Sequence, residues 1–225
     1  VRVGSLFCCI KGEKFDGHDF AAAAVERGAV ALLVQHEISN IPITIPQIIV
    51  DDPRTCVGFA ATELYGNPSR HLSLVGITGT NGKTTTAHLL ASIMKASGLQ
   101  TEVIGTLSGT FTTPEAPDLQ RSFSEMVAHG TRAVAMEVSS HALALGRVNG
   151  TRFAASVFTN LGRDHLDFHG SEENYFQSKS RLFTHDFTSV GVINADDVYG
   201  QRLLNESTIP MTSFSKDDVD DLQVS

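Results

Sequence analysis

The chain has 225 residues, which at about 150 residues per domain allows one large domain or two modest ones with a core needing no disulfide or metal support. Apolar residues make up 41% and charged residues 19%, which excludes disordered and collagen-like chains, and the net charge of −8 argues against a duplex nucleic-acid binder. No apolar run approaches the roughly 18 residues of a membrane span and the first residues lack a signal-peptide pattern. Cys8, Cys9 and Cys56 form neither a disulfide framework nor a zinc spacing, so a reduced, cytoplasmic protein is expected. The chain lacks an initiator Met and stops inside the polar stretch 216–225, so a fragment is expected.

The first third reads as a small α/β unit. Leu6–Ile10 is an apolar run of strand length, and Phe20–Arg27 is an alanine-rich helix closed by Gly28. Val30–Val34 and Ile48–Val50 read as further strands. Pro53 opens a second helix that runs to Tyr65, and Gly66-Asn67-Pro68 is a turn cluster that marks a domain boundary, 1–67 against 68–225.

From Leu72 the rhythm changes. Apolar strands (Leu72–Ile77, Val103–Leu107, Ala133–Val138, Ala154–Phe158, Val190–Ile193) alternate with helical segments (Thr84–Ala96, Asp118–Ala128, Glu172–Phe183, Tyr199–Asn205). That alternation predicts βαβ units and a mostly parallel sheet with helices on both faces. Ligands of such sheets gather at the carboxyl ends of the strands.

Thr78-Gly79-Thr80-Asn81-Gly82-Lys83-Thr84 follows an apolar strand and precedes an amphipathic helix, the context a phosphate loop requires. Glycines let successive N–H groups turn onto phosphate oxygens, and the helix N-terminus adds partial positive charge. Lys83 is placed to reach terminal phosphates and the Thr84 hydroxyl to ligate Mg²⁺. Ile77 stands where the general pattern has glycine. The competing reading, a glycine-rich turn that only caps a helix, does not account for the preceding strand.

Two further residues stand out. Glu137 ends an apolar strand whose carboxyl end is expected to face the loop, where a carboxylate suits a hard cation; the competing reading is a solvated strand-end acid. Lys179 shares a helix face with Tyr175, Phe176, Leu182 and Phe183, on a helix N-capped by Ser171. Burial there lowers a lysine's pKa and exposes a nucleophilic amine that can add CO2, giving a carbamate able to bind a divalent cation. The competing reading is a snorkelling lysine with its ammonium at the rim. The segment Thr159-Asn160-Leu161-Gly162-Arg163-Asp164-His165-Leu166-Asp167-Phe168-His169-Gly170 offers His165 or Asp167 to a metal, and His165 and His169 have a zinc-like spacing that no second ligand pair completes.

Together Thr78–Thr84, Glu137-Val138-Ser139-Ser140-His141 and Thr159-Asn160 through Asp164-His165-Leu166-Asp167 resemble the motifs of the Mur ligases, ATP-dependent amide-bond-forming enzymes of peptidoglycan synthesis. The loop has that family's form, which accounts for Ile77. Gly4-Ser5-Leu6-Phe7, Thr112-Thr113-Pro114 and Ser139 to Arg147-Val148 are most similar to the members that add the third residue to UDP-N-acetylmuramoyl-L-alanyl-D-glutamate. The resemblance implies an α/β chain with a small N-terminal uridine-binding domain, truncated at its start, and a central ATP-binding domain, truncated at its end. A C-terminal ligase domain is absent, so the fragment alone is expected to be inactive.

The resemblance also implies roles. Gly79, Thr80, Asn81, Gly82, Lys83, Thr84 and Thr85 match the ATP loop; Thr84 and Glu137 match ligands of one Mg²⁺, and His165 and a carbamylated Lys179 match the second. Lys83, Lys179 and His165 are the implied catalytic groups, and Thr112, Thr113, Ser139, Arg147, Glu13, Lys14 and Phe15 the implied substrate contacts. Leu145 departs from members that carry glutamine there. The implied partners are the UDP-sugar dipeptide and an amino acid, with the protein acting as a monomer. Two rivals stay open: another carboxylate–amine ligase such as folylpolyglutamate synthetase, and a non-catalytic nucleotide-binding module. A GTPase switch lacks its Asn-Lys-x-Asp signature.

Overall fold

The computed structural model describes residues 1–12, 14–107 and 111–216, so Glu13 lies outside the described residues. The chain divides into two compact units, residues 1–60 and 61–225.

The first unit holds β1 (Ser5–Cys8), α1 (Ala21–Glu26), β2 (Ala29–Val34) and β3 (Gln47–Ile49), a parallel sheet in the order β1-β2-β3. Its core is Cys9, Ala21, Leu32, Val34 and Ile41, from β2 and the segments that cover it. Gly28, at φ +98°, turns the chain from α1 into β2, and a Cβ there would lie 2.9 Å from the Val3 Cα, so no larger residue fits. β1 stops at Cys8, short of the expected Ile10, because the Ile10 carbonyl is taken by the Gly17 N–H (3.1 Å) as the chain folds back. α2 (Pro53–Leu64) starts on Asp52, whose carboxylate accepts from the Arg54 N–H (2.9 Å), with Pro at the first helical position. The compact units part inside α2, ahead of the Gly66–Pro68 turn. Ala61 and Thr62 are already buried, and the Asn67 N–H bonds the Thr62 carbonyl (2.8 Å), so the last turn of the helix belongs to the second unit.

The second unit is a six-stranded sheet, β5-β6-β4-β7-β8-β9, with every neighbouring pair parallel. In chain order it runs β4 (Ser73–Thr78), α3 (Lys83–Ala96), β5 (Thr101–Ile104), α4 (Ala116–Ala128), β6 (Ala133–Glu137), α5 (Ser140–Ala144) and β7 (Ala155–Phe158), then α6 (Leu166–His169), α7 (Glu172–Ser180), β8 (Gly191–Asn194), α8 (Val198–Glu206) and β9 (Met211–Phe214). Strand alternation sorts the core onto two faces: Leu74, Val134 and Met136 join one cluster with Phe123 and Phe158, while Val75, Ile77 and Ala135 meet Ala87 and Ala91 of α3. Gly76 lies on the first face, where a Cβ would come 2.9 Å from the Phe153 ring.

The expected strands and helices are all present with ends shifted by a few residues. The sheet has one strand more than the sequence indicates, because β9 (Met-Thr-Ser-Phe) is a mostly exposed edge strand without an apolar run. α5 and α6, of five and four residues, are too short to show a period. From β4 the chain builds β5 and β6 on one side and β7 on the other, so the carboxyl end of β4 is the topological switch point where such sheets bind ligands.

Candidate active site

Gly79–Gly82 links β4 to α3 at that switch point. Gly79 has φ +149°, and a Cβ there would lie 1.9 Å from Thr159 Oγ1; Gly82, at φ +85°, stands directly before α3. The loop is shaped by the exit from β7. The Thr80 N–H donates to the Asn160 carbonyl (2.9 Å), the Asn81 N–H to Asn160 Oδ1 (3.0 Å), and both Asn160 Nδ2 (3.1 Å) and Thr159 Oγ1 (2.7 Å) donate to the Asn81 carbonyl. This explains the Thr159-Asn160 pair, whose role the sequence alone left open: it braces the loop. The first N–H groups of α3 have no acceptor within the helix and add its positive end to the loop.

Two lysines meet on that loop. Lys83 Nζ donates to the carbonyls of Gly79 and Thr80, both at 2.8 Å. Lys179 Nζ, from α7, donates to the same Gly79 carbonyl at 2.9 Å and lies 4.6 Å from the centre of the Tyr175 ring. Lys179 is 1% exposed, so the rim-seeking arrangement does not occur. Burial first, and then the neighbouring Lys83 charge, push its pKa down to about 7 against the pull of Asp164. Burial also lowers the pKa of Lys83.

Opposite them stands Glu137, fully buried at the end of β6 rather than solvated. Its Oε2 accepts from Thr84 Oγ1 (3.0 Å) and Thr106 Oγ1 (3.3 Å), and its Oε1 from the Thr106 N–H (2.9 Å). Gly105 makes room, since a Cβ there would lie 2.1 Å from Oε1. Sequence reasoning missed Thr106 because it placed Val103–Leu107 in a strand; β5 ends at Ile104, which frees the Thr106 N–H for the carboxylate. The signal was a glycine-threonine pair at the carboxyl end of a strand. Thr112 continues this row of hydroxyls, 3.1 Å from Thr106 Oγ1.

A cavity of about 300 Å³ opens between these groups, lined by Thr80–Thr84, Thr106, Thr112, Glu137, Ser139, Ser140, His165, Tyr175 and Lys179. His165 has an unusual backbone for a non-glycine residue (φ +52°) and is half-exposed, edge-on to His141 with ring centres 4.7 Å apart. His169 is buried, with Nε2 3.0 Å from Ser140 Oγ and Nδ1 3.3 Å from Ser178 Oγ, so its spacing from His165 builds no zinc site. Burial lowers the pKa of both His141 and His169.

The other expected contacts are placed differently. Thr85 is exposed and outside the cavity. Thr113 is fully buried, its hydroxyl donating to the Glu137 carbonyl and accepting from the Ser139 N–H (both 3.0 Å), so it links β6 to α5 rather than facing the cavity. Ser139 Oγ caps α5 by accepting from the Ala142 N–H (3.1 Å). Arg147 pairs with Glu115 (2.7 Å), donates to the Thr113 carbonyl (3.2 Å) and lies 5.1 Å over the Phe111 ring. Lys14 and Phe15 belong to the first unit, where both are exposed and Phe15 packs edge-on against Phe20.

Among the described residues no three side chains of His, Cys, Asp or Glu converge to hold an ion. The donor set does fit Mg²⁺ of the kind bound with a nucleotide, which uses one or two carboxylates plus phosphate oxygens and water: the Glu137 carboxylate and Thr84 hydroxyl are adjacent hard oxygens at the loop. No helix among the described residues is long and apolar enough to cross a membrane.

Comparison with known proteins agrees with this geometry. Residues 77–225 match the Mur ligase middle domain, and residues 1–63 match the Mur ligase family catalytic domain. The UDP-N-acetylmuramoyl-L-alanyl-D-glutamate–2,6-diaminopimelate ligase of Geobacter metallireducens is 46% identical over 230 residues, covering 95% of this chain and 45% of the relative. The ligase of the same name from Aquifex aeolicus is 47% identical over 225 residues, covering 96% and 46%. A solved ligase of that name superposes with a TM-score of 0.80 at 29% identity, over 96% of this chain and 46% of the other. A folylpolyglutamate synthase of Mycobacterium tuberculosis complexed with ADP shares the fold at a TM-score of 0.57 and 16% identity, over 72% of this chain and 46% of that one. The chain spans about half the length of the curated relatives it matches. The chain therefore belongs to the Mur ligase family, and the loop, the buried acid and the buried lysine all lie within the residues that match its middle domain.

Proposed function

We propose that the protein containing this chain is an ATP-dependent ligase that joins an amino acid to UDP-N-acetylmuramoyl-L-alanyl-D-glutamate through an acyl phosphate, in peptidoglycan synthesis. The observation that carries this reading is the buried Lys179 amine 2.9 Å from the phosphate loop's own Gly79 carbonyl, with the Thr84–Glu137 pair in the same cavity. A nucleotide-binding module has no use for a second buried lysine at its loop; a carbamate-bearing ligase does. The first compact unit serves as the UDP-substrate domain and the second as the ATP domain. The free thiols of Cys8, Cys9 and Cys56 suit a cytoplasmic setting. The relatives' names favour 2,6-diaminopimelate as the incoming amine.

In the reaction a carboxylate oxygen of the substrate bonds to the γ-phosphorus of ATP as the bond to ADP breaks. The amine nitrogen then bonds to the acyl carbon, phosphate leaves, and the amine gives up a proton. The chief barrier is repulsion between a carboxylate and a triphosphate. Lys83 offsets it with an ammonium that exchanges loop carbonyls for phosphate oxygens, and the positive end of α3 adds to it. Thr159 and Asn160 keep the loop in shape, so that no reorganisation is needed as charge moves. Lys179 adds its nitrogen to CO2 and releases one N–H proton to solvent. Thr84 and Glu137 would hold one Mg²⁺, and His165 and the Lys179 carbamate a second; the metal supplies neutralisation of phosphate charge. Thr112 and Ser139, which line the cavity, would contact the sugar peptide, with Thr113 holding the Ser139 N–H and Arg147 the Thr113 carbonyl.

The test is phosphate release by the full-length protein. Release that requires ATP, the UDP-muramoyl dipeptide and the amino acid together supports the ligase. Release with a folate substrate favours the folylpolyglutamate rival, and nucleotide binding without any turnover favours the module.

A further inference from the structure

Tyr175 meets both the Lys179 amine and the phosphate loop, yet the proposed chemistry gives it no part. It is 1% exposed and sits one turn before Lys179 on α7, so ring and amine share a helix face. The Lys179 amine is held between two surfaces: the Gly79 carbonyl at 2.9 Å and the Tyr175 ring, 4.6 Å to its centre. At the other end of the ring the phenol oxygen is 3.1 Å from Thr80 Oγ1, a phosphate-loop hydroxyl that also accepts from the Gly162 N–H (2.9 Å). The ring packs against His169 as well, with centres 5.1 Å apart, and His165 lies 6.1 Å away. A phenylalanine would fill this volume equally well, so packing alone does not account for a hydroxyl aimed at the loop.

We propose that Tyr175 is a positioning residue with two separable roles: its ring holds the Lys179 amine where it can add CO2, and its hydroxyl fixes the phosphate loop through Thr80. The inference rests on the proposed carbamate at Lys179. A lysine stem has four flexible carbons, and a carbamate serves a metal only if its nitrogen has a fixed place. The ring face is attractive to an ammonium and tolerant of a neutral N–H, so it holds the nitrogen in either state. The addition balances without help from the tyrosine: the amine nitrogen bonds to the CO2 carbon and one N–H proton goes to solvent.

The experiment uses the full-length protein with two probes, ¹³C-bicarbonate read by NMR as a carbamate resonance and Mg-ADP read by calorimetry. Lys179→Met identifies the resonance by abolishing it. Tyr175→Phe is expected to keep the parent's carbamate occupancy while weakening Mg-ADP binding about fivefold, the loss of one neutral hydrogen bond. Tyr175→Leu is expected to lower carbamate occupancy about tenfold with an unchanged circular dichroism spectrum. Tyr175→Met, of similar volume without a ring, carries the same arm if the leucine variant does not fold. A merely structural tyrosine would lower the melting temperature without separating the two readouts. Parent-level carbamate in the ringless variants overturns the ring's role, and parent-level Mg-ADP affinity in Tyr175→Phe overturns that of the hydroxyl. A parent chain with no carbamate resonance overturns the reading of Lys179 itself, and this proposal with it.

Discussion

The two walls of the cavity handle buried charge in opposite ways. On one, the Glu137 carboxylate is out of water but receives, among the described residues, hydrogen bonds from Thr84 Oγ1, Thr106 Oγ1 and the Thr106 N–H. Its desolvation is compensated, and it behaves as a rigid anchor. On the other, two lysine amines converge on the Gly79 carbonyl, and one of them lies against the face of an aromatic ring. Burial lowers the pKa of both, and the Lys83 charge lowers that of Lys179 further. The anchor wall adds to stability while the amine wall subtracts from it, the pattern expected where reactivity is bought with fold stability.

That contrast can be broken or sharpened by experiment. The largest effect is on turnover: Lys179→Ala in the full-length ligase should lower the rate at least about 1,000-fold, with partial recovery when short carboxylates are added to stand in for the carbamate. Full activity would remove Lys179 from the chemistry. Stability should then move in opposite directions on the two walls. Glu137→Ala removes the acceptor of the part-buried Thr106 N–H and of the Thr84 hydroxyl and should cost about 2 kcal/mol in urea unfolding. Lys179→Met keeps the volume and removes the buried amine, and should raise stability by about 1–2 kcal/mol at pH 7. A loss in both variants would mean that the amine wall is satisfied after all.

The pH dependence follows from the sign of the Lys179 shift. Its folded pKa, about 7, lies below the ordinary value of 10.5, so between those limits the unfolded chain binds more protons and stability rises with pH. From pH 7 to 9 the parent should gain about 2 kcal/mol relative to Lys179→Met, the gap between the two closing as pH increases. The smallest effect belongs to a loop residue that the resemblance includes and the cavity does not. Thr85→Ala, at an exposed position in the first turn of α3, should change stability by less than about 0.5 kcal/mol and leave Mg-ADP affinity near the parent value.

Much of the scaffold is legible without coordinates. Apolar runs of four to six residues alternating with helical periods located the expected strands of the second unit, and Ser171, Gly28 and Pro53 marked helix limits through their own backbone preferences. β9 escaped because an edge strand with three exposed residues has no apolar signature. Thr113 shows the limit for the site. Its motif position suggests a substrate contact, but its hydroxyl is turned inward onto the backbone of Glu137 and Ser139. A motif records residue type and order, and side-chain direction depends on what packs around it.

Local pattern was thus sufficient for the phosphate loop, the strand-end acid and a lysine on an apolar helix face, because each depends on short-range spacing and on where a strand meets a helix. Only the tertiary structure decided that Lys179 is buried, that it and Lys83 share one carbonyl, and that Thr159 and Asn160 brace the loop from a strand about 80 residues away. Desolvation and hydrogen-bond partnership belong to the packed assembly of distant segments. They change a residue's chemistry without changing its letter.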